Sequence, residues 1–230
     1  MSKKRRTDPN ADRPLHPGPR PPREERVFYV AVEGASTEPD YLSYLNDEFG
    51  RDLRFRIHPL WRSKGLKPRE VVEAVLAQRS QDEGDEKDEF WALFDRDEHV
   101  GIPQAIAKAK KNDVRIGFSH PSFDLWLLLH LAAFSGAQGG SSVIVHEKLR
   151  KHPAFETFEP NGDKSIRNER VEALKGKENV AAKRARKLTN DCPNPACNEN
   201  DGHADHCDPL CRDPSTDMWE LLVALKIIER

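Results

Sequence analysis

Two short apolar runs, each ending in carboxylates, stand out in the pattern of hydrophobic and polar positions along the chain. Residues 27–32 read VFYVAV and lead into Glu33, while residues 90–94 read FWALF and lead into Asp95 and Asp97. Continuous apolar runs of this length are typical of strands that are covered on both faces. Because ligands of an open parallel sheet bind outside the carboxyl ends of its strands, we expect these three carboxylates to meet at one edge.

The rest of the first 135 residues alternates between extended and helical periodicity. The pattern predicts further strands over residues 53–60 and 114–118, and helices over residues 40–49, 68–81, 102–111 and 123–134. Such alternation indicates a parallel sheet whose crossover connections are right-handed. We therefore predict an α/β domain over residues 26–135, in which helices flank a parallel sheet of about four strands.

The two ends of the chain differ from this middle part. Residues 1–25 combine a basic cluster with six prolines and almost nothing apolar, which predicts a disordered tail. Residues 136–230 are predicted to form a C-terminal helical extension, in which Ser215 and Thr216 cap the last helix. The predicted helices of this extension cover residues 143–152, 168–187 and 218–228.

The overall charge and hydropathy exclude several classes of protein. The formal net charge is -2 with 33% charged residues, so any surface that binds nucleic acid must be local. No apolar run approaches the roughly 20 residues that cross a bilayer. The basic start is followed by prolines and arginines instead of the apolar segment of a secretory signal. We therefore expect a cytoplasmic protein without a membrane partner.

The three strand-end carboxylates suggest a specific chemistry. Asp95 and Asp97 are two residues apart, so at a strand end they point the same way, and Glu33 would complete a set of hard oxygen ligands. Mg²⁺ and Mn²⁺ prefer such ligands, and either ion could stabilise the charge that develops on a phosphodiester. An isolated Asp-x-Asp is usually a solvated turn, but the matching Glu after an earlier strand favours a metal site.

The same residues belong to a series of motifs that resembles a known family. In chain order the motifs are Glu33-Gly34, Thr37-Glu38-Pro39 with Tyr41-Leu42, Phe94-Asp95-Arg96-Asp97, Ser119 with Pro121 and Phe123, Trp126-Leu127-Leu128 with His130, and Pro214-Ser215-Thr216. From about residue 27 to the C-terminus the chain resembles the RloB-like family. The resemblance implies a Toprim-like catalytic domain and an association with abortive-infection defence in bacteria. In Toprim domains the strand-end Glu and the Asp-x-Asp bind the metal, and these roles fall on Glu33, Asp95 and Asp97.

The resemblance implies a magnesium-dependent nuclease that cleaves DNA or RNA as an effector of anti-phage defence. It also implies a partner ATPase of the ABC or AAA type. The alternative is a non-catalytic subunit that binds a nucleotide or serves as an adaptor in a defence ATPase complex. A dinucleotide-binding enzyme is disfavoured, because residues 34–39, GASTEP, lack the glycines that let a backbone approach pyrophosphate.

Four residues outside the carboxylate set are predicted to contact the substrate. Ser119 and His120 follow the fourth predicted strand, and Lys164 and Arg167 precede the basic helix predicted over residues 168–187. A hydrolase triad of Ser119, His120 and Asp124 is disfavoured, because the chain has no nucleophile elbow there. In this segment the family pattern Ser-Asn-Pro-x-Phe-Glu is replaced by the residues Ser119, His120, Pro121, Ser122, Phe123 and Asp124.

All four cysteines of the chain lie in a segment without periodicity, residues 191–212. In a cytoplasmic protein this favours a metal or free thiols over disulfides. A structural zinc ion would explain how such a loop is ordered, although the C-x2-C spacing of common zinc modules is missing. The first choice of ligands is Cys192, Cys197, Cys207 and Cys211, with His203 or His206 able to replace one of them.

Overall fold

The computed structural model describes residues 25–81, 87–96, 101–159, 162–204 and 206–230. The predicted disordered tail, apart from its last residue, therefore lies outside the described residues. Asp97, the third predicted metal ligand, also lies outside them.

The centre of the fold is a five-stranded sheet with the order β2-β1-β3-β4-β5. Its strands are β1 (Arg26–Val32), β2 (Phe55–Leu60), β3 (Glu89–Asp95), β4 (Arg115–His120) and β5 (Ser215–Thr216). The first four strands are parallel, and β5 runs antiparallel to β4. The predicted α/β class is thus confirmed, and β5 is an additional strand. Ser215 and Thr216 pair with β4 and are not the N-cap of the last helix, which is Asp217, but the Thr216 hydroxyl accepts a 3.4 Å hydrogen bond from the N–H of Met218, the first residue of that helix.

Helices cover both faces of this sheet. Within the described residues they are α1 (Thr37–Leu45), α2 (Arg51–Leu53), α3 (Pro68–Gln81), α4 (Ile102–Lys111), α5 (Asp124–Leu131), α6 (Val143–Leu149), α7 (Glu169–Leu174), α8 (Glu178–Leu188) and α9 (Met218–Ala224). The helix predicted over residues 168–187 is two helices, α7 and α8. The chain breaks between them at Gly176, whose φ of 74° lies in the left-handed region that glycine adopts without strain.

The alternation of side chains along β1 explains the two layers. Phe28, Val30 and Val32 point to one face, where α1, α5, α8 and α9 contribute to a large apolar cluster. Tyr29 and Ala31 point to the other face, where α3 and α4 form a second cluster. Helices from the C-terminal part of the chain thus share the first cluster with the sheet.

The strand order decides which residues can form a site. Strands β1, β3 and β4 are parallel neighbours, so their carboxyl ends lie side by side at one edge. Glu33 follows β1, Asp95 ends β3, and Ser119 pairs with Asp95 near the end of β4. No helix within the described residues is long and apolar enough to span a bilayer.

Candidate functional site

Glu33 and Asp95, predicted from two separate strand ends, are in contact. The backbone N–H of Asp95 donates a hydrogen bond to Glu33 Oε2 over 3.2 Å. The backbone carbonyl of Glu33 in turn accepts a bond of 2.9 Å from the N–H of Leu66 in the loop after β2. The edge of the sheet therefore holds Glu33 by both its side chain and its backbone.

Glu38, which the sequence places in the Thr37-Glu38-Pro39 motif but does not mark as a site residue, is a further carboxylate at this edge. It lies in the first turn of α1, is 7% exposed, and its Oε1 accepts a 2.9 Å hydrogen bond from the N–H of Gly34. A Cβ atom at position 34 would collide with the Glu38 carboxyl group, so Gly34 is needed for this close approach.

Asp124 is the fourth carboxylate, and it is held by a histidine and a lysine side chain. It begins α5 and is 4% exposed. His146 Nε2 lies 2.6 Å from Asp124 Oδ2, and Lys164 Nζ lies 3.6 Å from the same oxygen. Glu159 joins from the other side, at 2.9 Å from His146 Nδ1 and 3.7 Å from Lys164 Nζ. Two carboxylates and two basic groups thus form one network beside the sheet edge.

The electrostatics of this edge show an excess of negative charge. Burial, together with the charges of Asp124 and Glu33, raises the pKa of Glu38 to about 7. Burial and the nearby Glu38 and Glu33 also raise the pKa of Asp95 well above its ordinary value. Burial acts to lower the pKa of Lys164, but the charges of Asp124 and Glu159 outweigh it, so this pKa is raised. A bound cation would relieve the repulsion among these carboxylates.

The carboxylates do not form a closed cage of ligands. Within the described part of the chain, three or more metal-ligating atoms lie within 4.8 Å of one another only in a Cys/His cluster elsewhere. Mg²⁺ usually keeps several water ligands and uses only one or two carboxylates, so an open arrangement such as Glu33 with Asp95 fits it.

The predicted substrate contacts differ in how accessible they are. Ser119 is 1% exposed and its hydroxyl lies 3.0 Å from that of Thr216 in β5. His120 is 3% exposed, with Nε2 at 3.6 Å from Asp213 Oδ2. Both side chains are buried in this structure, and their contact with the substrate stays a prediction.

Lys164 and Arg167 are more open and lie over the start of α1. The Lys164 carbonyl accepts a 3.0 Å hydrogen bond from the hydroxyl of Thr37, and the Lys164 side chain is 38% exposed. Arg167 is paired with Asp40 at 3.3 Å, and its side chain is 72% exposed. Of the predicted substrate contacts, Lys164 is the one that joins the network around Asp124.

The Cys/His cluster consists of Cys192, Cys197, His203 and Cys207. Each offers a ligand atom, and these atoms lie within 4.8 Å of one another, so the cluster can hold a metal ion such as zinc. Cys211, one of the four ligands of first choice, is exposed and lies outside the cluster. The geometry therefore selects the alternative set in which His203 replaces one cysteine.

The raised pKa of Glu38 predicts how stability changes with pH when no divalent cation is added. The folded protein retains a proton up to about pH 7 that the unfolded chain releases near 4.5. Stability should therefore fall as pH rises from 4.5 to 7, by up to about 3 kcal/mol. Urea unfolding at several pH values would measure this, and Glu38→Gln should flatten the decline. An equal decline in wild type and Glu38→Gln would contradict the assignment.

Comparison with known proteins adds a family to this description. The family model described as RloB-like protein matches residues 28–225, so the chain belongs to the RloB-like family. The comparisons with curated proteins and with solved structures gave no match. The resemblance stated from the motifs is thereby confirmed at the level of the family.

Proposed function

We propose that this member of the RloB-like family is a Toprim-like nuclease that cleaves phosphodiester bonds of DNA or RNA with Mg²⁺ or Mn²⁺. The observation that carries the proposal is the contact between Glu33 and Asp95 at the carboxyl ends of neighbouring parallel strands. Glu38 and Asp124, which lie near these two residues, add negative charge. The resulting rise in the pKa of Glu38 and of Asp95 is typical of a centre suited to a cation.

In the proposed mechanism each carboxylate has a separate task. Asp95, together with Asp97, would hold the ion, while Glu33 would share the ion and also position or activate the nucleophile. A divalent ion held there would supply positive charge to the phosphodiester and would lower the pKa of an attacking water. The N–H of Asp95 fixes the orientation of Glu33, so the carboxylate is already aimed before substrate binds.

Lys164 is proposed to contact a phosphate of the substrate. Its ammonium group borders the carboxylate edge, and its pKa is raised, so it stays charged at neutral pH. A charge-assisted hydrogen bond contributes about 1.5–3 kcal/mol, so Lys164→Gln should raise KM for nucleic acid about 10- to 100-fold. Steady-state kinetics would measure this, with the exposed Lys175→Gln as the matched control. Equal KM values for both variants would contradict the contact.

Anti-phage defence is the proposed setting of this activity. Membership of the RloB-like family supports an effector of abortive infection with a partner ATPase of the ABC or AAA type. Such a partner would restrain a nuclease that is toxic to its own cell. The Cys/His cluster is proposed to bind zinc, because thiolate and imidazole are the ligands of structural zinc sites.

A cleavage assay tests the proposed function. The purified full chain, alone and with a co-expressed ATPase, would be incubated with labelled single-stranded DNA, duplex DNA and transfer RNA. Cleavage is expected only when Mg²⁺ or Mn²⁺ is added. If no substrate is cut even with the ATPase present, while the protein binds a nucleotide, the protein is a non-catalytic adaptor and the proposal fails.

A further inference from the structure

We infer that the zinc ion at Cys192, Cys197, His203 and Cys207 braces β5 against β4, beside the carboxylate edge. The inference rests on the zinc site proposed above and goes beyond it by giving the ion a specific structural task. The ion would add support to a strand of only two residues, Ser215–Thr216.

The geometry of the cluster fits a tetrahedral ion. Cys192 Sγ and Cys207 Sγ lie 3.5 Å apart, close to the roughly 3.8 Å between two sulfurs that each bind zinc at about 2.3 Å. The backbone N–H of Ala204 donates to Cys197 Sγ over 3.3 Å, which supports a thiolate there. His203 Nδ1 is buried and has no hydrogen-bond partner among the described residues, so this nitrogen is available to a metal.

The segment that carries the ligands has almost no hydrophobic core of its own. From residue 191 to residue 213, the described residues that are buried are Cys197, Gly202 and Cys207. Two of these three are members of the cluster. Because so little apolar surface is buried, a bound ion would contribute a large part of the free energy that orders this segment.

The ordered segment is seated on α8 and α9. Arg186 in α8 donates to the carbonyls of Glu199 and Asn200 over 3.1 and 3.2 Å. Its guanidinium also lies 5.2 Å from the ring centroid of Trp219 in α9. Gly202 lies beside the same ring, so that a Cβ atom at this position would be 3.5 Å from Trp219 Cζ2. The loop that the zinc closes therefore rests on two helices of the large apolar cluster.

Contacts lead from the cluster directly to β5. Arg212 donates to the carbonyl of Cys207 over 3.0 Å, and its guanidinium lies 3.5 Å from Asp217 just after β5.

Asp213, just before β5, accepts hydrogen bonds of 2.8 and 2.6 Å from the N–H groups of Gln138 and Gly139. Both flanks of β5 are thus fixed by residues that follow the last zinc ligand.

The position of β5 matters because it continues the sheet next to the carboxylates. Thr216 pairs with Ser119 in β4, and Ser119 pairs in turn with Asp95 in β3. The N–H of Asp217 donates to the carbonyl of Phe118 over 2.9 Å, which closes this side of the sheet. Losing the brace should therefore loosen β5 and the end of β4 first.

Metal analysis of the purified full chain tests the ion itself. We expect about one zinc per chain in wild type and in the matched controls Cys211→Ser and His206→Ala. Cys207→Ser and His203→Ala should lose most of it. A wild-type protein without zinc, or with a disulfide between Cys192 and Cys207, would overturn the zinc site and the brace together.

Hydrogen exchange tests the brace separately. Zinc would be removed from wild type with a zinc-selective chelator in excess Mg²⁺, so the result does not depend on whether a variant folds. Exchange of the Asp217 amide should become at least about 10-fold faster, while β1 amides stay unchanged. Unchanged exchange at Asp217, or equal acceleration in β1, would overturn the brace and leave the zinc site standing. Neither readout uses nuclease activity, so both are independent of the proposed function.

Discussion

Replacing Asp95 by Asn should reduce metal-dependent cleavage by about 1,000-fold and leave the fold intact. The change removes an ion ligand, and the charge that such an ion supplies stabilises the transition state by several kcal/mol. Each 1.36 kcal/mol is a factor of ten in rate. The variant should also be at least as stable as wild type, because burial and the charges of Glu38 and Glu33 already raise the pKa of Asp95. Single-turnover cleavage and thermal unfolding would measure the two effects.

The matched control is Asp52→Asn, which changes an exposed carboxylate in α2. It should keep the activity of wild type. Glu33→Gln should lose activity to a similar extent as Asp95→Asn, since both residues meet at the same point. If Asp95→Asn cleaves at the wild-type rate, the carboxylate edge is not the active site.

Replacing His146 by Ala should destabilise the protein by about 3–5 kcal/mol. His146 lies between Asp124 and Glu159, and its removal leaves the buried Asp124 carboxylate without its closest partner. Leaving a buried carboxylate without its hydrogen-bond partner costs roughly 1–3 kcal/mol or more, and deleting the buried imidazole also removes its ring contact with Phe158. For a chain of this size the loss corresponds to a drop in melting temperature of about 10 °C. Calorimetry or urea unfolding would measure it.

Glu147→Ala is the control for this variant, because it changes an exposed residue of the same helix, α6. Its effect should stay within about 0.5 kcal/mol. If His146→Ala and Glu147→Ala unfold at the same midpoint, the network around Asp124 does not stabilise the fold in the way described.

The features that could be predicted from the sequence are those with a local physical signal. The runs before Glu33 and Asp95 are apolar throughout, so they predict buried strands, and the rule for parallel sheets then predicts that both acids share an edge. The structure places them in direct contact. The α/β class followed from the alternation of strand and helix periods in the same way.

The residues that the sequence missed depend on packing between distant segments. Glu38 resembles an ordinary acid in the first turn of a helix, and only its approach to Gly34 shows that it belongs to the edge. His146 lies on a short helix without a motif, and its role depends on meeting Asp124 in the fold. The available signals were the Thr37-Glu38-Pro39 motif and Gly34 itself, because a glycine just after a strand permits a close approach by another side chain.

Two features near the C-terminus also depend on the path of the chain and could not be predicted from the sequence. Strand β5 has two residues, too few to give a period, so the sequence of Ser215 and Thr216 predicts helix caps and no strand. In the Cys/His cluster the ligand types were clear from composition, but the path of the loop decides that His203 lies inside and Cys211 outside. Spacing alone does not determine that path.

Binding of Mn²⁺, followed by electron paramagnetic resonance on zinc-loaded protein at pH 8, tests the central claim most directly. Wild type and Asp52→Asn should bind Mn²⁺ at the carboxylate edge, and Glu33→Gln and Asp95→Asn should each weaken this binding at least about 10-fold. Affinity should also rise with pH as Glu38 loses its proton near 7. Equal Mn²⁺ affinity in all four proteins would contradict the claim that these strand-end carboxylates form the metal centre.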